Sequence, residues 1–291
     1  MKTRIISGIV MALIVVAVLL SGLYISSLFI TFFVGLLAAG AIYELCHNAS
    51  GIKAKAAWII ASCYGFLNVA ALDKNVYEKL CFYFKDGEMT GIYSYYSGIS
   101  QYQLSLILTV LYFLLAVILV LKNHKDFGLA QIVSLCAMPL FVSYAFSCLG
   151  GIIGGENGIY YLVMLLNFSS ICDMGAYFVG VTLGKHKLCP EISPKKTIEG
   201  AIGGIVSSLV FSVVFVFAFG MSDKLISTLI LTIPLCIVGM IGDLFASSIK
   251  RSVGLKDYSN LIPGHGGILD RTDSILMIAP ILYLCTLFGV I

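Results

Sequence analysis

Nine stretches of this chain hold almost nothing but apolar residues, at positions 5–20, 23–42, 57–72, 104–121, 127–149, 159–183, 201–220, 225–243 and 274–290. A helix needs about 20 apolar residues to cross a bilayer core of roughly 30 Å. These runs are continuous instead of alternating with period two, so they predict helices and not barrel strands. The rest of the composition agrees. Charged residues make up 11% of the chain and the mean hydropathy is +1.01, whereas a soluble domain carries about 25% charged residues to cover its surface. The predicted fold is an all-α, polytopic bundle of about nine transmembrane helices. Residues 1–150 hold the first five spans, and 151–291 hold the last four with their polar loops. Lys2 and Arg4 before the first run would also suit a secretory signal, but eight further spans and no small-x-small cleavage site favour a first transmembrane helix.

Charge sets the expected orientation. With the amino terminus in the cytoplasm and nine crossings, all of the 18 lysines and arginines except Lys74, Lys79, Lys85 and Lys224 fall in cytoplasmic segments. That is a strong positive-inside bias, and removing one span upstream would scramble it. The nine cysteines are scattered, mostly inside the runs, with no CxxC pair. They read as small packing residues and predict no zinc site. The outer loop 73–103, with Tyr77, Tyr83, Tyr93, Tyr95, Tyr96 and Tyr102, reads as an interfacial belt.

Two polar stretches break the apolar pattern, 173–204 and 243–273, and both are expected on the cytoplasmic side. In the second, a helix continuing through Arg251 would place Asp243, Ser247 and Lys250 at i, i+4 and i+7 on one face. A carboxylate and a hydroxyl beside an ammonium suit a hard cation such as Mg²⁺ bound to phosphates. The turn Gly264-His265-Gly266-Gly267 follows, where glycines open backbone angles closed to other residues and allow a phosphate close to main-chain N–H groups. His265 either donates to a phosphate or braces the turn. Asp270 and Asp273 come next. Asp270 is the better metal candidate, and Asp273 is the better cap for the last helix. In the first stretch Asp173 lies inside an apolar run, which is costly and marks a functional site by default. Lys195-Lys196 and Thr197-Ile198-Glu199 then lead into the seventh span. The spacings Gly180/Gly184 and Gly200/Gly204 suggest close helix packing.

The segment Ser247-Ser248-Ile249-Lys250-Arg251, then Lys256-Asp257-Tyr258-Ser259, then Ile262-Pro263-Gly264-His265-Gly266-Gly267-Ile268-Leu269-Asp270-Arg271-Thr272-Asp273 resembles the defining motif of phosphatidate cytidylyltransferases (CDP-diglyceride synthases) without a departure over its 27 residues. Asp173 with Ala176-Tyr177, Gly184-Lys185 and the stretch 192–200 also look like this family. The first five spans resemble it only in hydropathy. The resemblance implies a helical, dimeric membrane enzyme that joins CTP to phosphatidic acid drawn from the membrane lipid, with a Mg²⁺-dependent, cytoplasm-facing site and room for a second metal ion. It implies Asp243 and Asp270 as metal carboxylates with Ser247, Lys250 and Arg251 as catalytic neighbours. Asp173, Lys195, Lys196, His265, Gly266 and Gly267 would contact substrate, and no nucleic acid is expected as a partner.

Two other readings are open to the sequence. A cation-coupled transporter would use Asp173 and Asp243 to pass an ion, but such proteins often show inverted repeats and none is visible. A CDP-alcohol phosphotransferase would carry a DG…AR…G…D…D motif, which is absent.

Overall fold

A computed structural model describes residues 2–24, 26–74, 76 and 100–291. Most of the Tyr-rich loop expected on the outer side, with Tyr77, Tyr83, Tyr93, Tyr95 and Tyr96, lies outside the described residues. The chain is an all-α polytopic membrane protein. Among the described residues seven helices are long and apolar enough to cross a membrane. The last helix carries Asp270, Arg271 and Asp273 in its opening turns. The chain divides into two compact units. One comprises the chain up to Gly151 together with Asp257–Leu269, and the other comprises Ile152–Lys256 with Asp270–Ile291.

In the first unit, α1 (Lys2–Tyr24), α2 (Leu28–Tyr43), α3 (Lys55–Leu72), α4 (Gln101–Lys122) and α5 (Leu129–Gly154) follow in order. Ser100 opens α4 with a reciprocal capping box: its hydroxyl accepts from the Gln103 amide at 3.3 Å, and the Gln103 side chain accepts from the Ser100 amide at 2.7 Å. Both orphan donors are satisfied where the helix enters the apolar layer. One face of α4 leaves Leu106, Val110, Leu114, Ile118 and Leu121 exposed, a lipid-facing surface that would be untenable in water. Its other face meets α3 and α5 through a buried polar knot. Asn68 donates to Ser143 at 3.1 Å and accepts from Ser105 at 2.7 Å, which ties three helices where lipid offers no partner.

Directly after α2 the backbone widens into a π-helical turn, Glu44–Ala49. Such turns gather at functional positions, and this one turns the buried Glu44 toward the segment 259–269.

The second unit begins with α6 (Gly158–Leu166), a second π turn (Asn167–Ile171) and α7 (Cys172–Leu183). The wider turn disturbs the regular ladder, and side chains supply bonds in its place. Asn167 donates to the Ser208 carbonyl and the Ser212 hydroxyl, while Ser208 donates back to the Asn167 carbonyl. A short antiparallel hairpin follows, β1 (Lys187–Cys189) with β2 (Ser193–Thr197), before α8 (Ile198–Ala218). The hairpin was not anticipated. Its strands are short and polar, without the alternation that marks a half-buried strand.

Glu199, in the first turn of α8, locks the hairpin by accepting the amides of Lys185 and His186 at 3.1 Å and the His186 ring at 2.6 Å. Thr197 caps the same helix, accepting from Gly200 N–H at 3.1 Å. Helices α7 and α8 form the closest pair in this unit. A Cβ on Gly200 would sit 2.7 Å from the Ala176 carbonyl oxygen, and one on Gly204 would sit 2.6 Å from that of Cys172. The glycine spacings therefore do act in helix packing.

The long α9 (Leu225–Ser252) and α10 (Leu269–Leu287) complete the unit. They pack where Gly239 meets the Ile278 side chain and Gly242 faces the Asp273 carbonyl oxygen, 3.0 Å from where a Cβ would stand. Helix α10 starts five residues before the predicted span because its first amides find a carboxylate partner in Glu44.

Candidate active site

Helix α9 does continue past Arg251, so Asp243, Ser247 and Lys250 share a face one turn apart. Ser247 Oγ donates to Asp243 Oδ1 at 3.4 Å. Asp243 Oδ2 is ion-paired with Lys196, which the hairpin presents from β2. One turn beyond Ser247, Lys250 donates to Asp270 Oδ1 at 2.7 Å, with side-chain exposures of only 9% and 2%. Asp243 and Asp270 thus belong to the same unit, and each carries one lysine. The result is an alternating-charge cluster on neighbouring helices, with each carboxylate held against an ammonium group.

Two further carboxylates join it. Asp173 from α7 and Asp273 from α10 lie within electrostatic reach of Asp243 and of each other. Asp173 also feels Lys196 and Arg271. Asp273 does not cap α10. It stands in the second turn, where its Oδ1 accepts from its neighbour Ser274 N–H at 2.8 Å. Motif spacing could have suggested this, since Asp270 and Asp273 are one turn apart on a helix.

A cavity of about 570 Å³ opens beside this cluster within the second unit. Asp173, Lys187, Lys195, Lys196 and Asp243 provide its polar wall, and Tyr177, Val181 and Met240 provide apolar surface. That volume is in the range of small-molecule sites, which combine apolar walls with a few convergent polar groups. Lys187 was not anticipated. It faces the cavity only because the hairpin exists.

Arg251 is exposed and donates to the Leu255 carbonyl at 3.0 Å, closing the C-terminal turn of α9. His265, Gly266 and Gly267 belong to the first unit. There Ile262 and Gly266 form a bridge, with Gly264 and Gly266 at φ 77° and 86°, which is glycine territory. The His265 ring Nδ1 is 2.7 Å from Ser7 Oγ. Gly267 is required for another reason: a Cβ there would collide with the Glu44 carboxylate. Like Lys187, Glu44 was not anticipated from the sequence.

Among the described residues no three carboxylate, imidazole or thiolate groups form a ready-made metal cage. Mg²⁺ seldom needs one, because it usually takes one or two protein carboxylates and fills its other positions with substrate phosphates and water. Oxygen donors paired with ammonium groups fit such an ion.

A family model described as the cytidylyltransferase family matches residues 2–288, so the chain belongs to that family. A phosphatidate cytidylyltransferase of Bacillus subtilis is 34% identical over 197 residues, covering 66% of this chain and 71% of its own. Similar proteins of the same name occur in Staphylococcus saprophyticus (33% over 187 residues, 64% and 70% covered) and Staphylococcus haemolyticus (34% over 185 residues, 63% and 69% covered). The chain is a nucleotidyltransferase of phospholipid biosynthesis.

Proposed function

We propose that Asp243 and Asp270 hold a divalent cation, Mg²⁺, in the reaction by which this enzyme transfers the cytidylyl group of CTP to phosphatidic acid, giving CDP-diacylglycerol and pyrophosphate. The observation that carries the reading is the paired arrangement Lys196–Asp243 and Lys250–Asp270 beside a cavity with both charged and apolar walls. When bound, the cation polarises phosphoryl oxygens and screens the two anionic reactants. A second ion is compatible with the additional carboxylates Asp173 and Asp273.

The protein's own groups do the rest by position and charge. A phosphatidic acid oxygen is already ionised near neutral pH. It attacks the α-phosphorus of CTP, the bond to the β-phosphate oxygen breaks, and pyrophosphate leaves with the electron pair. No side chain has to remove a proton, so no nucleophilic triad is needed. Lys195 and Lys196 on β2 and Lys187 on β1 offset substrate charge along the cavity wall. Lys250, buried against Asp270, fixes that carboxylate, and Ser247 does the same for Asp243. Asp173 completes the acidic wall. Arg251 contributes positive charge at the end of α9. The family resemblance supports a homodimer.

Purified protein in detergent with CTP, Mg²⁺ and phosphatidic acid is expected to release pyrophosphate only when all three are present. Diacylglycerol in place of phosphatidic acid should give none. Ion flux without pyrophosphate release would favour the transporter reading instead.

The cavity is proposed to face the cytoplasm, where CTP is, with the amino terminus on the same side. A cysteine placed by Lys195→Cys should then react with an impermeant maleimide in inverted vesicles and not in intact cells. Labelling from outside alone would reverse the orientation.

A further inference from the structure

A carboxylate inside a membrane protein is costly unless its oxygens are fully used, and Glu44, 1% exposed, uses both. Its Oε1 accepts from Ser259 Oγ at 2.6 Å and from Ile268 N–H at 2.9 Å, and its Oε2 accepts from Leu269 N–H at 2.9 Å. One side chain thus grips the signature segment at Ser259 and again at Ile268 and Leu269. Gly267 leaves room for that grip, since a Cβ would overlap the carboxylate. The negative charge also sits at the first amides of α10, where the helix dipole favours an anion. Asp270 is the very next residue after Leu269, and Asp273 follows one turn later on the same helix.

We infer that Glu44 is a positioning residue: by fixing the first amides of α10 it sets the height and rotation at which Asp270 meets the metal. This rests on the proposed role of Asp270 as a ligand. A residue that holds a ligand acts as the outer-shell partners of metal sites do, and losing one typically costs about 10- to 100-fold in metal affinity or activity. Glu44→Gln keeps the volume but turns an NH₂ group toward backbone or hydroxyl donors, so at least one grip becomes repulsive.

The test is Mn²⁺ binding followed by electron paramagnetic resonance in the presence of CTP, together with kcat and the KM for CTP. Glu44→Gln is expected to weaken Mn²⁺ binding about 10-fold or more and to lower kcat by a similar factor, with the KM for CTP changed far less. Gly267→Ala, which displaces the carboxylate without removing it, should give the same pattern. Combined with Glu44→Gln it should add little, because both act on one contact. If Glu44→Gln fails to insert, Gly267→Ala carries the test alone. Wild-type Mn²⁺ affinity in these variants, with only a lowered melting temperature, would reduce Glu44 to a structural brace. The Asp270→Asn variant separates the two levels. If it loses Mn²⁺ while the Glu44 and Gly267 variants do not, only the positioning role falls. If it binds normally, the metal reading falls and takes the positioning role with it.

Discussion

Asp270→Asn is expected to insert into the membrane, remain folded and lose turnover by well over 100-fold. The amide keeps an oxygen that can accept from Lys250, which donates to Asp270 Oδ1 at 2.7 Å, so the buried ammonium is not stranded. What disappears is the negative charge. Loss of an outer-shell partner already costs about 10- to 100-fold at metal sites, and loss of a ligand should exceed that. Pyrophosphate release measured alongside size-exclusion behaviour in detergent separates the two effects. Turnover within about threefold of wild type would remove Asp270 from the site.

Lys250→Met should produce the largest loss of stability. It removes the ammonium that donates to Asp270, whose side chain is only 2% exposed. Breaking a buried pair from one side costs about 3–5 kcal/mol, whereas replacing both charges together is often nearly neutral. The double variant Lys250→Met with Asp270→Asn should therefore regain most of the lost melting temperature yet stay inactive. This pattern distinguishes a pair that serves catalysis from one that serves folding. If Lys250→Met melts like wild type, the two side chains are not partners in the folded protein. If the double variant turns over substrate, the pair is not catalytic.

The parts of this structure that were legible in the sequence are those governed by local periodicity. Long apolar runs marked the membrane helices, because in lipid only an internally bonded helix satisfies the backbone. The spacing of Asp243, Ser247 and Lys250 placed them on one face, because helical rise and rotation are fixed. The paired glycines at 180/184 and 200/204 likewise announced a close crossing of α7 and α8.

What escaped is set by contacts distant in sequence. Glu44 is a lone acid at the end of an apolar run, and its partners Ser259, Ile268 and Leu269 lie more than 200 positions away. Nothing near Glu44 in the chain distinguishes it. Without it the start of α10 could not be placed, so Asp273 read as a cap when it belongs in the helix beside Asp243. The hairpin that brings Lys187 to the cavity was hidden for a different reason. It is held by Glu199 and by a few ladder bonds, and not by any apolar pattern.

If carboxylates from two packed helices share one divalent cation, Mn²⁺ binding will depend on both of them. The wild-type protein with CTP should bind Mn²⁺ tightly, and Asp243→Asn and Asp270→Asn should each lose most of that binding while remaining monodisperse in detergent. Undiminished Mn²⁺ affinity in both variants would mean that neither carboxylate is a ligand.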